Sequence, residues 1–522
     1  MDIERIRQID LSDVYKGISN HAIGEGEFLS HSGKEHYKLL AYLGTQFNGC
    51  EIFDIGTHRG ASALALSFNK KNTIHSFDIS NLYPLPRVEN IEYHIEDVIT
   101  DTPARAKWEA RLLASPLIFL DIDPHEGARE YEFYLWLKSK NYAGTLLCDD
   151  IWYFKQMRDN FWYKIPTAEK VDITEHGHWS GTGVVRFVPS ALFPARDVPN
   201  NWTIVTAYFD LTKMPDASAS IRARPDSHYL SNAVATLSLD QNMIIFCEPE
   251  NLEKIRGLRP SFLEHKTRYI THSFEDFPLT RFRNKVIENR RTHPYRFDDR
   301  NTASYYLFCM SRYAMLLRAI AENPFGSTHF AWLNICIERM GYKNLMELDS
   351  VFAQQRDKFS TCYIDYRPRS LVENLPEYFR YGGLCSMCSG FFTGNTHFMT
   401  EFCKEIHSKF LKFLEAGYGH ADEQLFSAVY FDRPELFDVY YGDYSEMIRN
   451  YTYVKERCQE PLRLLIAHSY DWKDYSTCLK GCTTLWNSYK KGYATLSGEE
   501  VGRLVGYYRG CCRVLGIRDE LP

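Results

Sequence analysis

Short apolar runs recur in the first third of the chain, at 51–55, 73–78, 90–95, 116–121 and 144–149, and helix-compatible stretches separate most of them. Ahead of the first run, SGKEHYKLLAYLGTQF from residue 32 reads as a helix. Strand-length apolar runs alternating with helices predict a parallel doubly wound sheet, because a central parallel strand is covered on both faces. Such a sheet binds its ligands outside the carboxyl ends of its strands. The alternation restarts at Trp202 with WTIVTAYFDL, followed by NMIIFCEPE at 242–250, TRYITHSFEDF at 267–277, a long helix near 302–322 and THFAWLNICIERMG at 328–341. Between the two series, VPSALFPARDVPNN at 188–201 carries three prolines and little periodicity, which suits a linker. Beyond about 450 the pattern is helical to the end. The expected division is 1–190, a linker at 191–201, a second α/β domain at 202–450 and a helical extension at 451–522.

A length of 522 residues supports at least two cores. With 61 basic and 67 acidic side chains the formal net charge is −6, which lacks the broad positive field of a nucleic-acid-binding protein. The charged N-terminus MDIERIRQIDLSDVYKG has no apolar signal region, and no later segment approaches a membrane-spanning run of about 18 apolar residues. The expectation is a soluble cytoplasmic protein. Fourteen cysteines stand mostly in apolar contexts and are expected as buried, reduced thiols.

The first series delivers an acid at each strand end. EIFDIGTHRG gives Asp54 with Gly56 and Gly60, and IHSFDIS gives Asp78. IEYHIEDV gives Glu96 and Asp97, IFLDIDPHEG gives Asp121, Asp123 and His125, and LLCDDIW gives Asp149 and Asp150. The glycine turn is expected to leave backbone N–H groups open to a nucleotide-like ligand, and an acid after the second strand can accept from ribose hydroxyls. The spacing is not the GxGxxG of a dinucleotide site, and taken alone it also fits an ordinary turn. Adjacent acids at Asp149 and Asp150, beside a third acidic cluster, would repel one another without a cation, although a solvated strand end is the simpler alternative. His176 and His178 in EHGHWSGTG read as a hairpin tip, or less simply as a zinc pair.

Over roughly residues 30–190 these motifs resemble the class I S-adenosylmethionine-dependent methyltransferases, and within them the metal-dependent O-methyltransferase branch that includes cephalosporin-hydroxylase-like and sugar- or macrolide-modifying members. The resemblance implies that Asp54, Gly56 and Gly60, with Thr57 and Ser62 in the same stretch, form the methionine-side loop. It further implies that Asp78 holds the ribose, that Asp97 lies near the adenine, and that Asp121, Asp149 and Asp150 bind Mg²⁺ or Mn²⁺. Asp123, His125 or His178 would serve as the general base.

TIVTAYFDL, FAWLN, CSGFFTGN and HADEQLFSAVYFDRPELFDVYYGDYSEMIRNY resemble the HtrL/YibB family across roughly 200–515. That resemblance implies a GT-A-like fold using a nucleotide-diphospho-sugar. Thr206 and Tyr208 would then face the nucleotide, and Gly390 and Gly394 would allow close approach of a sugar or diphosphate. Asp422 and Glu423 would serve as base or acceptor ligands, unless they are simply the acids that a helix N-terminus favours. Asn334 stands where the family pattern carries an aspartate, and an amide is a poorer cation ligand than a carboxylate. The basic run at 281–300, with Arg281, Arg283, Arg290, Arg291 and Arg296, reads as a solvated loop or as a diphosphate site.

The fold class expected is α/β in two domains, a Rossmann-like doubly wound methyltransferase sheet followed by a GT-A-like domain with a helical C-terminal cap. The function expected is a bifunctional enzyme that transfers and methylates a sugar on a glycan or small sugar acceptor, where fusion raises the local concentration of one product for the other site. Two alternatives stand beside it: a methyltransferase of small-molecule hydroxyls with an inactive acceptor-binding half, and a non-catalytic glycan-binding scaffold.

Overall fold

The computed structural model describes the chain except for residues 30–35, 189–191, 194–200, 294–298, 341–347, 349–350, 355, 381–384, 443, 452–458 and 522. The start of the first expected helix, most of the expected linker and Arg296 lie outside the described residues. The chain folds as two units, Met1–Val198 and Pro199–Pro522. Each is an α/β unit built on one seven-stranded sheet.

The first sheet comprises β1 (Glu51–Ile55), β2 (Thr73–Asp78), β3 (Ile91–Ile95), β4 (Leu117–Leu120), β5 (Thr145–Cys148), β6 (Lys170–Asp172) and β7 (Gly183–Arg186). Their spatial order is β3-β2-β1-β4-β5-β7-β6. The first five strands are parallel, and β7 runs antiparallel to both β5 and β6. Ile52, Phe53, Ile118, Phe119, Leu146 and Leu147 are fully buried, as expected of central strands covered on both faces. Helices α1 (His36–Thr45) and α2 (Ala61–Leu66) contribute Leu39, Leu40, Leu64 and Leu66 to one core. The order shares 3-2-1-4-5 with the dinucleotide-binding sheet and departs from it where β7 separates β5 from β6. The strand order reverses between β1 and β4, so the crevice for a ligand lies at their carboxyl ends.

The second sheet comprises β8 (Trp202–Tyr208), β9 (Asn242–Cys247), β10 (Thr267–Thr271), β11 (His329–Leu333), β12 (Ser360–Tyr363), β13 (Met387–Asn395) and β14 (Tyr440–Tyr441). Its order is β10-β9-β8-β11-β13-β12-β14, with β13 antiparallel to its neighbours. The switch point here falls between β8 and β11. Helix α3 (Ala303–Glu322) is started by the Thr302 hydroxyl, which accepts from the Tyr305 amide, and ends on Asn323 in the left-handed region at φ 31°. Asn395 caps α4 (Thr396–Glu415) in the same way through the Phe398 amide. Helix α5 (Asp422–Asp432) packs on α4 and β13. The unit closes with α6 (Gln459–Asp471), α7 (Tyr475–Lys490) and α8 (Gly498–Leu515), the last begun by a capping box of Ser497 and Glu500.

The expectation of a solvated loop at 281–300 is corrected, because Arg283–Thr292 is a helix. Tertiary bonds hold it there: Asn289 donates to the Leu414 carbonyl at 2.7 Å, and Arg290 donates to the Gly419 carbonyl at 2.7 Å and the His420 carbonyl at 2.9 Å. Among the described residues no disulfide is formed. Among the described residues no helix is long and apolar enough to cross a membrane.

Candidate functional site

The turn after β1 packs more tightly than its glycines alone reveal. Gly56 takes φ 98°, and a Cβ there would fall 1.6 Å from the Asp121 carbonyl oxygen, so only glycine lets the end of β1 pass the end of β4. Gly60 takes φ 84° with Pro86 Cδ 2.7 Å from any Cβ. The expectation that this turn leaves its N–H groups open is overturned. The Gly56 and Thr57 amides both donate to the Phe77 carbonyl at 2.9 and 3.0 Å, the Gly60 amide to the Thr57 carbonyl at 2.7 Å, and the His58 amide to Asp78 Oδ2 at 2.9 Å. Parallel β2 takes up three of these four donors, and the turn itself takes the fourth.

Asp54 lies beneath the turn, wholly buried, with Oδ2 accepting from the Ser76 hydroxyl at 2.7 Å. Burial pushes its pKa up to about 6 against hydrogen bonds from Ser76, Ser62 and Thr57. The folded-state value therefore exceeds the unfolded one near 4. A carboxyl raised in this way favours the folded state fully below about pH 4, and that contribution is lost as pH rises through about 6. Urea denaturation of Asp54→Asn from pH 4 to 7 should therefore lack a decline on the order of 3 kcal/mol that the parent shows in this window.

A pocket of about 180 Å³ opens at the carboxyl ends of β1, β2, β3 and β4, lined by Gly56, His58, Phe77, Asp78, Asp97, Asp121, Asp123 and Arg129 among others. Asp78 sits in it with one carboxylate oxygen fixed by the His58 amide and the other by the Ser80 amide at 3.1 Å, leaving lone pairs on both for hydroxyl donors. Ile79 and Leu82, on the pocket wall, are 71% and 75% exposed, an apolar surface suited to a flat ring. Asp97 accepts from the Ile99 and Thr100 amides at 2.9 and 2.8 Å. His58 and Arg129 were not singled out from the sequence, since neither position has a motif of its own.

Asp121 links this pocket to a carboxylate–imidazole cluster. Asp121, His125 and Asp150 form one group that could hold a metal, and Asp149, Asp150 and His178 form another, sharing Asp150. His125 Nδ1 lies 3.3 Å from Asp150 Oδ2 and 4.0 Å from Asp121 Oδ1, its Nε2 lies 3.1 Å from Asp123, and its ring stacks on Phe154 with centroids 4.6 Å apart. His178 Nδ1 lies 3.0 Å from Asp149 Oδ2 and 2.7 Å from the Ser180 hydroxyl. Burial, then the charges of Asp149 and Asp150, push Asp121 well above the ordinary carboxylate range, and burial with Asp149 raises Asp150. Burial also works against ionisation of Asp149, yet His36 and His178 hold it below the usual value. His36, at the start of α1 with its ring 4.9 Å from that of His178, has no sequence signal. Asp149 Oδ1 is buried without a hydrogen-bond partner, which together with the oxygen-rich donor set fits a divalent cation. His176 stands in the β6–β7 loop but joins neither group, so the two histidines do not act as a pair.

In the second unit Asp422 and Glu423 open α5 and are not equivalent. Asp422 is ion-paired with the buried Arg312, whose Nη1 donates to the Ser389 carbonyl at 2.9 Å. Glu423 accepts from the Ser389 amide at 3.0 Å and the Tyr444 hydroxyl at 3.1 Å, and burial followed by Asp422 raises its pKa. That makes Glu423 a carboxylate of raised basicity, and the ion pair with Arg312 makes Asp422 an element of the core. Asn334 follows β11; its amide donates to the Gly390 carbonyl at 2.9 Å and its side-chain oxygen accepts from Trp332 Nε1 at 2.9 Å. Gly390 therefore lies at the carboxyl end of β11, whereas Gly394 pairs with Phe330 near the other end of that strand. The structure does not bring the two glycines to one place. Thr206 is wholly buried with its hydroxyl unpartnered, and Tyr208 donates to Asp226 at 2.6 Å.

Fold and sites define a chain of two α/β units, each with polar side chains gathered at a strand-end switch point and the second ending in helices. Residues 200–453 match a family described as "Bacterial protein of unknown function (HtrL_YibB)". No curated protein matches the chain. Among solved structures, mouse xyloside xylosyltransferase 1 in its apo form is 12% identical, with 46% of this chain and 84% of that chain covered and a TM-score of 0.23. The 4-diphosphocytidyl-2C-methyl-D-erythritol synthase of Anaerococcus prevotii DSM 20548 is 13% identical, with 52% and 96% covered and a TM-score of 0.23. Superpositions this loose say nothing about the chemistry of the present chain.

Proposed function

We propose that the protein is a bifunctional glycan-modifying transferase, with an S-adenosylmethionine-dependent O-methyltransferase in its first unit and a nucleotide-sugar-dependent glycosyltransferase in its second. The observation that carries the first half is the strand-end pocket holding Asp78, joined through Asp121 to the cluster of Asp149, Asp150, His125 and His178. Asp78 binds the ribose hydroxyls, Ile79 and Leu82 cover the base, and Arg129 offers a charge to the amino-acid carboxylate. Asp121, Asp149 and Asp150 would hold Mg²⁺ or Mn²⁺, which would supply a Lewis acid that lowers the pKa of an acceptor hydroxyl. His125, braced by Phe154 with its Nδ1 beside Asp150, takes the hydroxyl proton on Nε2 once the exposed Asp123 side chain turns away, as the oxygen bonds to the methyl group and the methyl–sulfur bond breaks to release S-adenosylhomocysteine. Positioning supplies much of the rate in such a transfer.

The second half rests on the switch point between β8 and β11, the sequence resemblance across that unit, and Glu423 as a base of raised pKa. Calorimetric titration of the full chain with S-adenosylhomocysteine and then with nucleoside diphosphates tests both halves, two separate sites being the expected result. Asp78→Ala should weaken the first ligand by roughly 10- to 100-fold and leave the second unchanged. Full affinity in that variant would remove the assignment of Asp78 to the ribose.

A further inference from the structure

The second unit's switch point gathers basic side chains that, among the described residues, no salt bridge neutralises. Arg224 and His228 follow β8, Arg339 follows β11 in the short helix Ile337–Met340, and β8 and β11 are parallel neighbours. Tyr229 ties these segments together, its ring 5.9 Å from the Arg339 guanidinium and 6.2 Å from the ring of Tyr208 at the end of β8. Among the described residues, neither Arg224 nor Arg339 has a carboxylate within salt-bridge distance. The His228 Nε2 atom is buried without a hydrogen-bond partner. Burial, then the charges of Arg339 and Arg224, lower the pKa of His228, and both arginines also act on the Cys336 thiol, so the three basic groups face one locality. Clustered cations without a counter-charge are costly unless an anion is their partner.

Two acids of this face, Asp226 and Glu248, are already engaged. Asp226 is held by the Tyr208 hydroxyl and by Lys254, both at 2.6 Å, and Glu248 by the Asp210 amide at 2.9 Å and Asn251 at 3.1 Å. Asn334 brings no charge, and among the described residues every group able to hold a metal lies in the first unit. We propose that Arg224, His228 and Arg339 form a diphosphate-binding subsite, so that the donor's diphosphate is held by basic side chains and not by a divalent cation. This rests on the reading of the second unit as a user of nucleotide-diphospho-sugars. Arginine suits the role because its planar fork donates two bonds to a phosphate at once.

The test is calorimetric titration of the full chain, in EDTA, with inorganic pyrophosphate, uridine diphosphate and guanosine diphosphate. Binding of pyrophosphate and of at least one nucleotide without metal is expected. The Arg224→Gln/Arg339→Gln double variant, shown to be folded by circular dichroism melting, should bind at least about 30-fold more weakly. His228→Gln should lose a smaller factor, and raised salt should weaken the parent more than the double variant. Nucleotide binding that requires Mn²⁺, or that survives the double substitution, overturns the subsite while leaving the donor reading in place. Failure of the parent to bind any of the three ligands, with or without Mn²⁺, overturns both. Pyrophosphate binding lost in the double variant, with no nucleotide bound, sustains the subsite and removes the donor reading.

Discussion

Arg312→Ala should cost the second unit about 3–5 kcal/mol, seen as a lowered urea midpoint for that unit. Only 2% of the Arg312 side chain is exposed, and all three of its nitrogens are engaged: Nε with the Cys309 carbonyl at 2.9 Å, Nη1 with the Ser389 carbonyl at 2.9 Å, and Nη2 with the Ser389 hydroxyl and Asp422. Its guanidinium also lies 5.5 Å from the Trp332 ring. Truncation would strand the Asp422 carboxylate, itself only 9% exposed, with a single long contact to the Tyr313 hydroxyl at 3.4 Å. A buried charge left without its partner is the expensive outcome, whereas removing both members is far milder. Arg312→Met combined with Asp422→Leu should therefore recover most of the loss. A double variant as unstable as the single one would show that the guanidinium's bonds to Ser389, and not the ion pair, hold α3 against β13 and α5.

The same network shows where sequence patterning stops being informative. The parallel strands were legible because burial on both faces demands unbroken apolar runs: the runs read at 51–55 and 73–78 have the bounds of β1 and β2, and the other three differ from β3, β4 and β5 by a residue at each altered end. The acids were legible for the same reason, each falling at or just beyond the end of such a run. Short β6, β7 and β14 have too few residues for any period, and their places in the order come from pairing partners distant in sequence. The helix at Arg283–Thr292 buries only Val286 and Asn289, so it has no apolar stripe to betray it, and carbonyls more than a hundred residues away secure it. Arg312, His36, Ser389 and Arg339 belong to sites only because the fold carries them there. The glycine turn shows the converse. Its residues were recognisable, but the role of its amides depended on β2, whose Phe77 carbonyl takes two of them.

Asp149→Asn combined with Asp150→Asn should reduce methyl transfer by at least about 100-fold while leaving S-adenosylhomocysteine affinity within about twofold, since neither side chain lines the strand-end pocket. Stability provides a second, independent readout. Asp121 and Asp150 have folded-state pKa values raised by burial and by neighbouring carboxylates, so the stability they contribute at low pH is lost as pH rises from about 4 through those raised values. Near neutrality the parent therefore carries mutual repulsion that a divalent cation would relieve. Adding Mn²⁺ should raise the melting temperature of the parent by mass action, and a chelator should reverse the rise. The double variant should melt at or above the metal-free parent and gain nothing from Mn²⁺, because two of the three repelling charges have become amides. A variant that still responds to Mn²⁺ as the parent does would place the cation elsewhere. One that melts well below the metal-free parent would mean that the ion pair of Asp149 with His178, at 3.0 Å, outweighs the repulsion around Asp150.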